Sequence, residues 1–184
     1  MTSDRSGSGK LEQSIKGLFS KVRTAPAELA PPEARSAVGA TDLAGTYAII
    51  EIGPERYGLP VERIDQVIRM VQITRLPKPP RHVLGVINLR GRVIPVVDGA
   101  ELLGLSRGAY TAHTHLAVLK AGADRLVAVL VGVVDDVAHV PADAIETRER
   151  FAEDAVVRAA ARLPGGLVLL MDTDALLRGV KTPA

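Results

Sequence analysis

Arg90 is the residue whose type and place invite a chemical reading first. It stands at the tip of a tight turn in the run Gly85-Val86-Ile87-Asn88-Leu89-Arg90-Gly91-Arg92-Val93-Ile94-Pro95-Val96-Val97-Asp98, between two β-branched stretches. A turn draws on Gly and Asn for their backbone freedom and has no need of an arginine. A guanidinium there offers planar, permanently charged donors to carboxylates or carbonyls. The other candidates are poorer. His113-Thr114-His115 has the spacing to chelate from one strand face, but no HExxH pattern or carboxylate cluster accompanies it. Asp135-Asp136 lies at an expected strand end and reads as a solvated turn. The few serines occupy no nucleophile elbow. Gly165-Gly166 lacks the GK[ST] of a phosphate loop, and a strand pattern follows it instead of a helix. No nucleophile, base and oxyanion hole assemble, so the residues point to binding and away from catalysis.

Composition narrows the field. The chain has 184 residues and a net charge of +2; hydrophobic residues make up 47% and aromatics only 3%, so the core rests on Val, Leu, Ile and Ala. So few rings leave little for base stacking, and near-balanced charge argues against a nucleic-acid partner. The absence of cysteine excludes disulfides, thiolate zinc sites and cysteine nucleophiles, and suits a reducing, cytoplasmic location. No run of about 18 apolar residues is found, and no apolar signal core lies near Met1.

The elements that must hold Arg90 begin near Gly45. Residues 1 to 9 are Ser/Gly-rich and expected to be disordered. Leu11, Ile15, Leu18, Phe19 and Val22 then recur at helical spacing with Lys10, Lys16, Lys21 and Arg23 on other faces. This segment suits either a weakly ordered tail or a helix for a partner or membrane surface. Ala, Pro and Glu dominate residues 24 to 45, the composition of an extended linker. Residues 1–45 are therefore read as an N-terminal extension and residues 46–184 as the folded domain.

From Thr46 short strands alternate with turns. Tyr47 to Ile52, the return strand from Tyr57, and the two arms of the Arg90 hairpin are the first. Val61, Ile64, Val67 and Ile68 predict a short helix after Pro60. His115 to Lys120, a long strand from Arg125 to Val134, and Leu167 to Met171 follow, while Ala155 to Leu163 suits strand or helix. Many short strands favour an all-β barrel or sandwich. A repeat supports this: Leu89 to Asp98 with Leu102-Leu103 aligns without gaps on Leu163 to Asp172 with Leu176-Leu177. A weaker echo relates Leu59, Val61, Ile64 and Val67 to Val129, Val131, Val134 and Val137. Two related small barrels, interleaved or side by side, would share an apolar interface that neither alone could dispense with. Gly91 and Asp98 recur as Gly165 and Asp172 and belong to the fold, as a turn glycine and a strand-end carboxylate that caps the next turn or helix, whereas Arg90 is replaced by Pro164.

These motifs in order resemble the CheW family, the coupling proteins of bacterial chemosensory arrays. The likeness rests on Tyr57-Gly58-Leu59-Pro60-Val61 with Ile64 and Val67, on Leu84 to Gly91 with Ile94 to Asp98, on Leu126 to Val134, and on Gly166 to Asp172. It implies an all-β fold of two five-stranded SH3-like β-barrels packed together with short helices, no catalysis and no cofactor. It implies partners too: the regulatory domain of a CheA-type histidine kinase, the cytoplasmic tip of a chemoreceptor seated as an amphipathic helix in a groove, and other CheW-like domains. The family pattern puts Gly85, Asn88, Arg90 and Gly91 at functional surfaces, and Ile64 and Val137 in the apolar groove. Gln66 stands where many members carry a glutamate that pairs with the hairpin arginine, so only a neutral-acceptor bond is expected, leaving Arg90 freer. Gly132 replaces a frequent aspartate. A diverged scaffold for a non-motility pathway or another partner, localised by its N-terminal segment, is the alternative.

Overall fold

The computed structural model describes residues 39–178 and 180, except 107, 110, 112, 123 and 148–154; the amphipathic segment and most of the expected linker lie outside them. Strands β1 (Gly45–Ile52), β2 (Glu55–Pro60), β3 (Ile64–Arg69), β4 (Val83–Leu89) and β5 (Arg92–Asp98) lead into the short helix α1 (Gly99–Leu102). Strands β6 (His115–Lys120), β7 (Leu126–Val131), β8 (Val134–Val140), β9 (Ile145–Glu146), β10 (Val157–Leu163) and β11 (Gly166–Met171) lead into α2 (Thr173–Leu177).

Hydrogen bonding sorts the strands into two sheets, β8-β1-β2-β11-β10-β9 and β3-β6-β7-β5-β4. The repeat is visible here as an exchange. Replacing each strand of the first five by its counterpart in the other half of the chain turns one order into the other, with the same parallel pairs, β11 on β2 and β5 on β7. Each half therefore lends strands to both sheets, and the two barrels are interleaved. Even the irregularities recur, a register shift between Val83 and Gly85 matching one between Val157 and Ala159. The two-residue β9 on β10 has its counterpart in a single bridge between Thr74 and Val86.

Three apolar clusters explain the arrangement. Ile87, Ile94, Val96, Leu116, Val118, Ala128 and Leu130 fill the inside of one barrel. Tyr47, Ile49, Val140, Ala159, Ala161, Val168 and Leu170 are among those filling the other. The third cluster joins the outer faces of both, with Ile50, Ile52, Tyr57, Leu59, Leu169 and Met171 from one sheet and Val97, Ala117, Leu119, Val127, Val129 and Val131 from the other. Strands β6 and β7 are thus apolar on both faces, which is why their sequences show unbroken runs instead of alternation.

Three sequence expectations need correction. The helix expected after Pro60 is a single 3-10 turn, Val61–Arg63, followed by β3. Ile64, Gln66 and Ile68 are half-buried while Asp65, Val67 and Arg69 are exposed, a period of two imposed by pairing with β6. Long-range pairing decided between two periods that the same stretch of chain could follow with different residues. The strand expected from Arg125 to Val134 ends at Val131. There Gly132 donates its N–H to the Glu51 carbonyl at 2.7 Å and the chain crosses to the other sheet; a Cβ at Gly132 would lie 2.9 Å from that oxygen. Asp135 and Asp136 consequently sit within β8, not in a turn, and Asp135 pairs with Arg56 at 3.0 Å. The ambiguous stretch before Leu163 is β10.

Polar groups pin the crossings and strand ends. Arg63 follows the β2-to-β3 crossing, donates to Thr173 Oγ1 at 2.9 Å and pairs with Asp174, tying that crossing to α2. The recurring aspartates cap helices: Asp98 Oδ1 accepts from the N–H of Ala100 at 3.0 Å, and Asp172 Oδ1 from Ala175 at 2.9 Å. In the shared interface, Tyr57 donates its hydroxyl to Glu55 Oε2 at 2.8 Å.

Because Asp98 is buried and caps α1 through its side chain, Asp98→Ala is expected to lower unfolding stability by about 1–2 kcal/mol, with Asp98→Asn recovering much of it; denaturant midpoints measure this. Burial, then the hydrogen bond to Glu55 and its charge, pushes the Tyr57 phenol well above its ordinary value of 10.0. The neutral phenol is favoured in the folded state, so its contribution is complete below the unfolded value and is lost as pH rises past it. Stability of the wild type should fall from about pH 10 upward more steeply than that of Tyr57→Phe, as read from urea titrations across the alkaline range.

Candidate functional site

The β4–β5 hairpin is closed by Arg90 and Gly91 alone, between the paired residues Leu89 and Arg92. Arg90 has φ +53 and Gly91 φ +85. Two left-handed residues in a two-residue loop match the strand twist, and the arrangement selects Asn-Gly or Gly-Gly. Arginine in the first place pays roughly 1 kcal/mol of backbone strain. Asn88 holds the turn, accepting the Gly91 N–H on Oδ1 at 2.9 Å. The matching hairpin carries Pro164 and Gly165, and proline's ring forbids a left-handed φ. The fold therefore closes the same hairpin without a strained residue, and the strain at Arg90 belongs to one barrel only.

The guanidinium of Arg90 has no hydrogen-bond or ion-pair partner among the described residues. Its neighbour differs: Arg92 reaches the carbonyl of Asp124. Gln66 gives its amide to Asp65 Oδ2 at 3.1 Å, so the bond expected between Gln66 and Arg90 is not formed. Arg90 thus projects its charge from a rigid turn.

Asn88, Arg90 and Gly91 come together and are exposed. Gly85, at the other end of β4, is buried, with φ +149; a Cβ there would come within 2.2 Å of the Thr74 carbonyl oxygen. Its absence of a side chain lets Thr74 exchange two 2.9 Å backbone hydrogen bonds with Val86. Gln66 lies on β3 of the same sheet. Ile64, at the start of β3, is half-buried against the shared interface, whereas Val137 lies on β8 of the other sheet and is 58% exposed.

Sequence reasoning passed over the apolar surface beside the turn. Val93 pairs with Asn88 and is 69% exposed. It opens the apolar run Val93 to Val97, and its pairing with a polar residue is the available signal of exposure. A shallow depression of about 330 Å³ lies alongside, lined by Ile68, Val71, Thr74, Ile87, Asn88 and Leu89. Elsewhere His115 turns Nδ1 toward the Gly132 carbonyl at 3.3 Å. Among the described residues no three His, Asp or Glu side chains gather as metal ligands, and no helix is long and apolar enough to cross a membrane. A hairpin tip with a free cation beside a shallow apolar surface has the means to bind a protein.

Comparisons with known proteins agree on one family. The model of the CheW-like domain matches residues 46–181. "Chemotaxis protein CheW" of Klebsiella aerogenes is 29% identical over 137 residues, covering 71% of this chain and 80% of that protein. "Chemotaxis protein CheW" of Thermotoga maritima is 48% identical over 56 residues, 30% of this chain and 37% of that protein. Among solved structures, the scaffolding protein TtCheW of Thermoanaerobacter tengcongensis superposes with a TM-score of 0.65 at 20% identity, covering 84% of this chain and 94% of that one.

The strain at the tip has a direct consequence. Arg90→Gly relieves a left-handed arginine that makes no hydrogen bond or ion pair among the described residues, and should leave stability unchanged or raise it by up to about 1 kcal/mol. Gly85→Ala puts a methyl into the Thr74 backbone and should destabilise the protein by several kcal/mol, roughly the cost of a strained, overpacked site. Urea unfolding of both variants decides; a destabilised Arg90→Gly would mean that the side chain holds the hairpin.

Proposed function

The chain belongs to the CheW-like domain family, a family of chemotaxis scaffolds with two SH3-like β-barrel subdomains, and on that premise we propose that it is a non-catalytic adaptor that couples chemoreceptors to a CheA-type histidine kinase. Its mechanism is positional. It holds the kinase's regulatory domain beside the receptor's cytoplasmic tip, so that a change in receptor state alters the kinase through shared contacts. Such a protein works at the cytoplasmic face of receptor arrays, with residues 46–184 as the coupling domain and residues 1–45 as an extension to it.

The observation that carries this reading is Arg90, held left-handed at an exposed tip without a partner among the described residues. A charge kept at a cost of about 1 kcal/mol, where the sister hairpin avoids that cost, is best explained by a contact outside the chain. Asn88 fixes the turn that presents it, and Gly91 completes the turn. Arg90 would donate to carboxylates or carbonyls across the interface. Gly85 and Gln66 support that surface from β4 and β3. Ile64 and Val137 are assigned to the groove that receives the receptor's helices.

Alanine at position 90 suffers the same backbone strain as arginine and removes the guanidinium together with its exposed methylene stem. Arg90→Ala should keep the thermal midpoint within a few degrees while weakening kinase or receptor binding at least fivefold, about 1 kcal/mol. Co-sedimentation with a receptor tip and a CheA-type kinase, beside a thermal melt, measures both quantities. Full binding by a stably folded Arg90→Ala would sink the assignment of Arg90, and failure of the wild type to join either partner would sink the adaptor reading.

A further inference from the structure

The charge along the segments that build the hairpin surface is one-sided. Between Asp65 and Asp98 the chain has no carboxylate, and it carries Arg69, Arg75, Lys78, Arg81, Arg90 and Arg92. Three of these are chain neighbours of lining residues: Arg75 follows Thr74 and Arg90 follows Leu89, while Arg69 follows Ile68 and, by strand alternation, takes the opposite face of β3. All three are exposed, and none has an ion-pair partner among the described residues. The depression itself is floored by Ile68, Ile87 and Leu89, with Val71 exposed at its edge. It is shallow and near the lower limit of small-molecule pockets. An uncompensated cationic rim around an apolar floor repels a basic partner and gains from an acidic one that brings an aliphatic anchor.

We propose that this depression binds an acidic amphipathic segment of a partner protein, inserting an aliphatic side chain over Ile68, Ile87 and Leu89 while its carboxylates meet Arg75 and Arg90 and the nearby charge of Arg69 adds to the attraction. The inference rests on the reading of the hairpin as a partner surface and adds the chemistry that selects the partner. Attraction of this kind is screened by salt, whereas purely apolar docking is not. The rim charges steer the encounter and choose the sign of the partner; the anchor supplies the buried area.

A synthetic helical peptide of about 14 residues, with leucines at helical spacing and glutamates around them, is the probe. Its binding to the full chain is followed by fluorescence anisotropy, and the site is located by amide chemical shifts. Binding should weaken about tenfold between 50 and 300 mM salt, with shifts at Val71, Gln72, Asn88 and Leu89. Replacing the glutamates by lysine, or the leucines by serine, should abolish it. Arg69→Glu with Arg75→Glu should weaken binding about tenfold or more. Arg75→Gln alone, at an exposed position, repeats the test should the double variant fail to fold, and there a loss of about threefold is expected. Salt-insensitive binding, equal binding of the lysine peptide, shifts confined to β8, or no binding at millimolar peptide would overturn the inference. If Arg90→Ala loses the kinase or receptor while the charge reversals and salt leave that affinity intact, the adaptor reading stands and this inference falls. If the peptide binds as described but the protein joins neither kinase nor receptor, the adaptor reading falls and this inference stands.

Discussion

The face shared by the two sheets is the constraint on which everything else depends. Each barrel has an inner core of its own, but each also turns an apolar outer face toward its neighbour, and those faces form one cluster with contributions from β1, β2 and β11 on one side and β5, β6 and β7 on the other. Separated, either barrel would expose Val, Leu and Ile to water at about 25 cal/mol per Å². The chain secures the contact by exchange of strands between its halves, not by docking alone. Crossings after β2 and β7 carry β3 and β8 into the sheet built around the other half's strands. The bond from Arg63 to Thr173 of α2 and the hydrogen bonds between Glu51 and the Gly132-Val133 segment hold those crossings in place.

That exchange frees the hairpin ends for other work. Because the shared interface buries the outer faces of β5 to β7, the large apolar side chains that stay exposed lie elsewhere, among them Val67, Val71, Val93 and Val137 toward the sheet margins. The β4–β5 hairpin projects from one such margin on strands anchored by two cores, so its tip tolerates a strained residue. The tip of the second hairpin, built to the same pattern, uses Pro164 and Gly165 and carries no charge. Near-symmetry of the fold thus coexists with asymmetry of the surface, and the surface is where the two halves differ in what they can recognise.

Much of this was legible in particular residues. The Arg90 hairpin, the caps at Asp98 and Asp172 and the alignment of Leu89 to Asp98 on Leu163 to Asp172 all follow from local rules, since turn glycines and capping carboxylates act within a few residues. The surplus of an arginine at the tip was visible too, because the repeat supplied its own control in Pro164. Less was legible at β3. Val61, Ile64, Val67 and Ile68 satisfy a helical period while Ile64, Gln66 and Ile68 satisfy a strand period, and only β6 beside them breaks the tie. Val93 was concealed by the apolar run it begins, and the depression beside Asn88 joins residues from β3, from the segment after it and from β4.

Local chemistry accounts for the strands near the hairpin, the helix caps, the duplication and the odd arginine, because each depends on backbone freedom or on hydrogen bonds between near neighbours. The assembled fold settles the rest: the two barrels interleave, Gly85 and Gly132 are glycines because another segment's carbonyl passes against them, and Arg90 is left without a partner among the described residues. Those outcomes are set by contacts between segments far apart in the chain. Such contacts leave no periodic trace, since a Cβ that would collide and a charge that stays unpaired are properties of what lies across the space and not of the residues on either side.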